Sequence, residues 1–213
     1  RTNMKKIFLL TLIASLFMAC SSPTASTEAG EANEAATAEA FSTEYAVNAV
    51  ESTVTWTGSK PTGDMHMGTV AIKQGKLAMS EGTISAGSFV LDMTQMSVTD
   101  EGMDEETKAK LLGRLTTTDF FEVEKFPTAS FSVTGSTTDS LSGNLTIKDI
   151  TKSITVPYTM TTEGNNITAS ASFSIDRTLW GVKFNSGNFF ENLGEYLIDD
   201  AVQFDINLVA NTK

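Results

Sequence analysis

Apolar and polar residues alternate strictly along most of this chain, the mark of strands with one dry and one wet face. Val54-Thr55-Trp56 opens the series, and Val70 and Ile72 then alternate with Thr69, Ala71 and Lys73. Gln74-Gly75 reads as a two-residue hairpin turn into Lys76–Ser80, and Glu81-Gly82 as a second turn. The strand beyond it carries Phe89, Leu91 and Met93 on one face. The same spacing recurs in Ala129/Phe131/Val133, in Leu145/Ile147 and in Ile154/Val156/Tyr158/Met160. Ile167 to Ile175, with Phe173, and Val202 to Leu208, with Phe204 and Ile206, complete the set. The residues between are mostly Ser, Thr, Asn, Gln, Asp and Lys. One-sided strands this closely spaced predict an all-β domain, either a barrel or a sandwich.

The alternation breaks once. Asp104 to Leu112 places acids first and lysines later, which suits a helix dipole. Gly113 is placed to end that helix, with Leu115 packing back. Asp119-x-x-Glu122 has the spacing of a capping box for a second short helix, stopped by Phe126-Pro127. One or two short helices are thus expected to cover one end of the β domain.

The N-terminal pattern is of another kind. Lys5 and Lys6 precede an apolar run, Ile7 to Phe17, of 11 residues. About 20 are needed to cross a bilayer, so the run has the length of a secretory signal core. Leu16-Phe17-Met18-Ala19-Cys20 resembles a bacterial lipobox, although Met18 and Phe17 depart from its usual residues. Residues 21–40 hold no aromatic or large aliphatic side chain and cannot bury enough surface to offset ordering. The expected organisation is a lipoprotein signal peptide over 1–19, then a lipidated Cys20 and flexible acidic linker over 20–40. The β domain follows over 41–213. The expected location is the cell envelope, facing the periplasm and anchored through Cys20. Ser21 favours the outer membrane over the inner.

Composition narrows the chemistry. Among 213 residues, 26 are acidic and 15 basic, a net charge of −11 that argues against nucleic acid as a partner. A single Cys excludes an internal disulfide framework and a multi-cysteine zinc site. A single His removes most nucleophilic triads and histidine-rich metal sites, and no serine sits in a nucleophile-elbow pattern. Composition therefore disfavours most enzymes, and no cofactor or resident metal is expected. It leaves the oligomeric state open, a dimer included.

Three polar features carry alternatives. His66 lies between Met65 and Met67 and is either a polar group at a cavity mouth, a loop hydrogen-bonding residue or part of a soft-metal triplet. Arg177, after Asp176, either pairs with a ligand headgroup or locks its strand to the loop holding Trp180. The acids from Asp100 to Glu106 lack the spacing of a calcium loop and read as a solvated helix start.

Several fragments in order resemble the YceI-like family of bacterial periplasmic proteins. They are Val54-Thr55-Trp56-Thr57-Gly58-Ser59-Lys60 and His66-Met67-Gly68-Thr69-Val70, then Thr118-Asp119-Phe120-Phe121 with Phe126-Pro127-Thr128-Ala129-Ser130-Phe131. Gly143-Asn144-Leu145-Thr146-Ile147-Lys148, Thr151-Lys152 and Phe173-Ser174-Ile175-Asp176-Arg177 with Trp180-Gly181 follow. Arg114 stands where the family usually has His, and Asp149 where it usually has Gly. The resemblance covers about residues 50–210. It implies an antiparallel, lipocalin-like barrel of about eight strands that holds a long-chain amphiphile, such as a polyisoprenoid or similar lipid. The inward set offered as its lining is Trp56, His66, Phe89, Leu91, Met93, Phe131, Val133, Ile154, Val156, Tyr158, Phe173, Ile175, Phe204 and Ile206, with Met65, Met79, Met96 and Met160 as adaptable neighbours. The competing reading is a structural or stress-related envelope protein whose barrel is filled by its own side chains and takes no ligand.

Overall fold

Residues 26–39 and 42–212 are described by the computed structural model; the expected signal peptide and Cys20 lie outside them. The strands are β1 (Ala29–Gly30), β2 (Thr43–Val47), β3 (Thr53–Ser59), β4 (Met65–Ser80), β5 (Thr83–Val98), β6 (Thr128–Ser136), β7 (Ser140–Ile147), β8 (Ile150–Pro157), β9 (Thr159–Glu163), β10 (Asn166–Asp176) and β11 (Ala201–Thr212). One helix, α1 (Glu105–Leu115), stands between β5 and β6.

All the described pairings are antiparallel. β2 and β3 both lie between β4 and β11, so they act as one strand broken at 48–52. β8 pairs with β7 while β9 pairs with β10, so these two form a second broken strand. Counted this way, eight strand positions make an up-and-down meander that closes when β11 meets β2 and β3. Closure puts the apolar half of every alternating pattern inside.

Local chemistry explains most turns. Glu81 and Gly82, at φ 50° and 82°, form the tight β4–β5 hairpin, and Lys148-Asp149, at φ 51° and 59°, form the β7–β8 one. Gln74-Gly75 does not turn: β4 runs through it, with Gln74 opposite Val90 and Gly75 opposite Phe89. Gly75 serves packing instead, because a Cβ there would lie 2.7 Å from the Val47 side chain. The run Ile154 to Met160 is likewise not one strand, since it changes partner at Tyr158.

α1 is longer than its sequence signals suggest. Asp104 caps it by accepting from the Thr107 amide at 2.7 Å, but Gly113 lies inside the helix and Thr116 is the C-cap. The second helix does not form. Beyond Thr116 the chain makes successive tight turns, with Glu122 at φ 49° and its amide donating to the Thr117 carbonyl. Phe120 and Val123 are both buried, and pulling both into the barrel end overrides the capping spacing.

The described part of the expected linker lies along the barrel wall. β8 and β10 face each other without pairing, and the segment fills that seam. Ala29 and Gly30 pair with Ile154 and Ser153 of β8, while the Thr27 amide donates to Ser174 of β10 at 2.6 Å. Further on, Asn33 exchanges hydrogen bonds with Asn144 and donates to Ser153, and the Ala36 amide donates to the Val133 carbonyl at 2.8 Å. Composition predicts no core for these residues, but unpaired strand edges offer backbone partners that need none.

Candidate functional site

The interior is not packed solid. A cavity of about 290 Å³ runs inside the barrel, and nearly all of its wall is aliphatic or aromatic. β5 contributes Ile84, Phe89, Leu91, Met93 and Met96; β6 contributes Phe131; β8 contributes Ile154 and Val156. Tyr158, Phe173, Phe204 and Ile206 line the same space, as do Trp56 and His66. Val133 and Ile175, expected in this set, do not. They are almost completely buried in side-chain packing off the cavity wall, Val133 among Tyr45, Leu77 and Ile84, and Ile175 against Trp180.

The wall is long. Ile84 and Met96 both face the cavity from β5, twelve residues apart. β5 bulges on the way, so its partner β4 gives the better length: the run from Met79, opposite Ile84, to Thr69, opposite Ser97, corresponds to roughly 20–25 Å along the barrel axis at about 3.3 Å per residue and a strand tilt near 40°. A long narrow space with an apolar wall suits a linear chain better than a compact ring.

Polar groups gather toward the end capped by α1. Lys60 and Asp64, from the β3–β4 connection, line the cavity with Ser59 and His66. His66 Nδ1 lies 2.9 Å from Asp100 Oδ2, and the other carboxylate oxygen accepts from the Met67 amide at 2.9 Å. Trp56 Nε1 is buried there with no hydrogen-bond partner among the described residues, a state that costs about 1–3 kcal/mol for a neutral donor. The Trp56 ring lies over Gly68, where a Cβ would come within 2.5 Å of the indole. His66 thus both lines the cavity and hydrogen-bonds the turn after β5, which fits two of its three readings.

Arg177 also reaches the cavity wall but is held as a lock. Its guanidinium donates to the carbonyls of Val182 at 2.7 Å, Asp199 at 3.0 Å and Ile198 at 3.1 Å, and lies 3.3 Å from the Asp200 carboxylate. Few donors remain for a headgroup.

Some lining residues escaped the sequence reading. Leu111 from α1, Phe120 and Phe121 from the following turns, and Ile198 just before β11 close the capped end. Phe120 and Phe121 belong to a quoted motif, but nothing local says they turn inward. Ala169 and Ala171 alternate inward and face the cavity, their small size leaving room rather than filling it. The methionines divide: Met93 and Met96 line the cavity, Met79 is core, Met160 packs against that core, and Met65 stands outside at 62% exposure.

Among the described residues, no three His, Cys, Asp or Glu side chains converge as a metal-binding group, and no helix is long and apolar enough to cross a membrane.

Against known proteins, the YceI-like domain matches residues 45–210. The fold is similar to BcnA of Burkholderia cenocepacia, with TM-score 0.58, 18% identity, and coverage of 78% of this chain and 99% of that one. It is also similar to a polyisoprenoid-binding domain from Saccharophagus degradans implicated in plant cell wall breakdown, with TM-score 0.56, 14% identity, and coverage of 79% and 98%. No curated protein matches in sequence.

Proposed function

Because this chain belongs to the YceI-like family, we propose that it holds a long-chain amphiphile of the polyisoprenoid class lengthwise in its barrel. The observation that carries the reading is the long apolar cavity with its polar groups gathered at the α1 end. The chain of such a ligand occupies the wall formed by Phe89, Phe131, Phe173 and Phe204. Its oxygen-bearing end lies near Lys60, His66 and the unpaired Trp56 Nε1, where a phosphate, hydroxyl or carbonyl oxygen supplies the missing acceptor. The similar Saccharophagus domain, a polyisoprenoid binder, supports the choice of ligand class. In this reading no covalent chemistry is performed: the protein sequesters or carries the lipid, tethered through Cys20 to the periplasmic face of an envelope membrane. The cavity speaks against a barrel filled by its own side chains.

Isoprenoid alcohols of increasing length test this. Trp56 fluorescence reports occupancy at the α1 end. Each added isoprene unit buries up to five carbons at about 0.8 kcal/mol per methylene, so affinity should rise at least about tenfold per unit until the cavity is filled. Ala171→Phe puts a ring into the empty space and should weaken the longest alcohols at least about tenfold while the barrel stays folded. Absence of binding at every length, or indifference to Ala171→Phe, would sink the reading.

A further inference from the structure

One join in the barrel wall is closed by no ladder of its own. β8 pairs with β7, and β9 pairs with the first half of β10, so β8 and the second half of β10 face each other unpaired. Among the described residues, the backbone link across this join comes from outside the barrel. Ala29 and Gly30 pair with Ile154 and Ser153 on the β8 lip, and the Thr27 amide donates to the Ser174 carbonyl on the β10 lip at 2.6 Å.

The cavity lies directly behind. Ile154 and Val156 on one lip and Ala171 and Phe173 on the other all line it, and Ala29 packs against the cluster that they form with Trp180. The segment over them is weakly held. Its ladder is two residues long, residues 30–35 are exposed, and only Ala29 adds apolar contact. Elements with few buried apolar contacts and exposed backbone bonds open at the lowest free energy. The lips, by contrast, are each laddered along their length to a neighbour, β8 to β7 and β10 to β11. The segment also lies outside residues 45–210, so it is an addition to the matched domain.

A long apolar chain that entered the cavity end-on at the α1 end would first pass Lys60, Asp64 and His66. Sideways, between β8 and β10, it meets apolar side chains along its length and leaves little of itself in water. We infer that residues 27–36 are a strap over a lateral entrance between β8 and β10, through which a long-chain lipid enters and leaves the barrel. The inference rests on the lipid reading above and adds the route to it.

The test uses the full chain in mild detergent with Cys20→Ser, so that an introduced cysteine pair supplies the only thiols. Gly30→Cys with Ser153→Cys locks the strap to its lip. The two positions are directly opposite, about 4.5–5.5 Å apart at Cβ and near what a disulfide needs, and a Cβ at Gly30 meets nothing within 4 Å. Neither residue lines the cavity. Ser142→Cys with Thr155→Cys staples β7 to β8 without crossing the join and serves as the control. Stopped-flow Trp56 fluorescence follows uptake of geranylgeraniol from micelles and its release.

The oxidised Gly30–Ser153 pair should slow uptake and release at least about tenfold each, leave the equilibrium affinity within about threefold, and recover on reduction. Deleting residues 26–33 should speed both rates, and the control staple should change neither. The strap is overturned, with the lipid reading intact, if the parent binds but the locked form exchanges as fast as the reduced one. The same holds if the control slows exchange equally or if the deletion leaves both rates unchanged. No binding by the parent at equilibrium would remove the lipid reading, and the strap inference would fall with it.

Discussion

Arg177 shows how a full charge is kept in the wall of an apolar barrel. Three carbonyls and the Asp200 carboxylate surround it, and Asp200 in turn accepts from Ser186 and Asn188. Removing the guanidinium strands those groups, so Arg177→Ala should cost about 3–5 kcal/mol in urea unfolding, the usual penalty for breaking a buried ion pair. Lysine cannot reproduce the fork, and Arg177→Lys should recover only part of that loss. Gly68 makes the complementary case for space. A Cβ there would collide with the Ser97 carbonyl oxygen and lie 2.5 Å from Trp56, and backbone on one side leaves nowhere to yield. Gly68→Ala should therefore destabilise by about 1–3 kcal/mol or more and shift the Trp56 emission. Neither role could be read from the sequence with certainty. Arg177 carried two open readings there because the residues that lock it come from 182 and 198–200, which only the fold brings together.

Strands were the most legible elements and helix ends the least. Side-chain alternation is enforced by barrel closure, so nearly every expected strand exists, and the Glu81-Gly82 turn forms where it was expected. Gln74-Gly75 and Asp119-x-x-Glu122 carried equally good local signals and lost to packing, by Val47 in one case and by Phe120 with Val123 in the other. Asp104 is legible and testable. The Thr107 amide that donates to it holds its carboxyl below the ordinary 3.8. A lowered folded-state pKa gives a contribution complete above about pH 4 and lost as the pH falls through the lowered value. Protection factors of the α1 amides, taken relative to the intrinsic exchange rate at each pH, should stay constant down to that point and then fall, and Asp104→Ala should abolish the step. The β1 segment was the least legible, because its hydrogen bonds are backbone to backbone and leave no trace in composition. Deleting residues 26–33 should accelerate exchange at Ser153 and Ile154 on β8 more than anywhere on β5, since only the former lose a partner strand.

For the whole molecule, the apolar inward set was legible residue by residue, whereas the question of an open or a filled interior was not. Alternation says which side chains turn inward; it says nothing about whether their volumes sum to the space enclosed. Ala169, Ala171 and the strand geometry leave the space open, and α1 with Phe120 and Phe121 closes its end. The account predicts that this space is occupied in the cell. Native mass spectrometry of the protein gently purified from the cells that make it tests that most directly. A folded population carrying one noncovalent lipid per barrel, released on activation with the mass ladder of repeating five-carbon units and absent from Ala171→Phe, is the predicted result. A single species with no noncovalently bound lipid, and none recovered from repeated preparations, would contradict it.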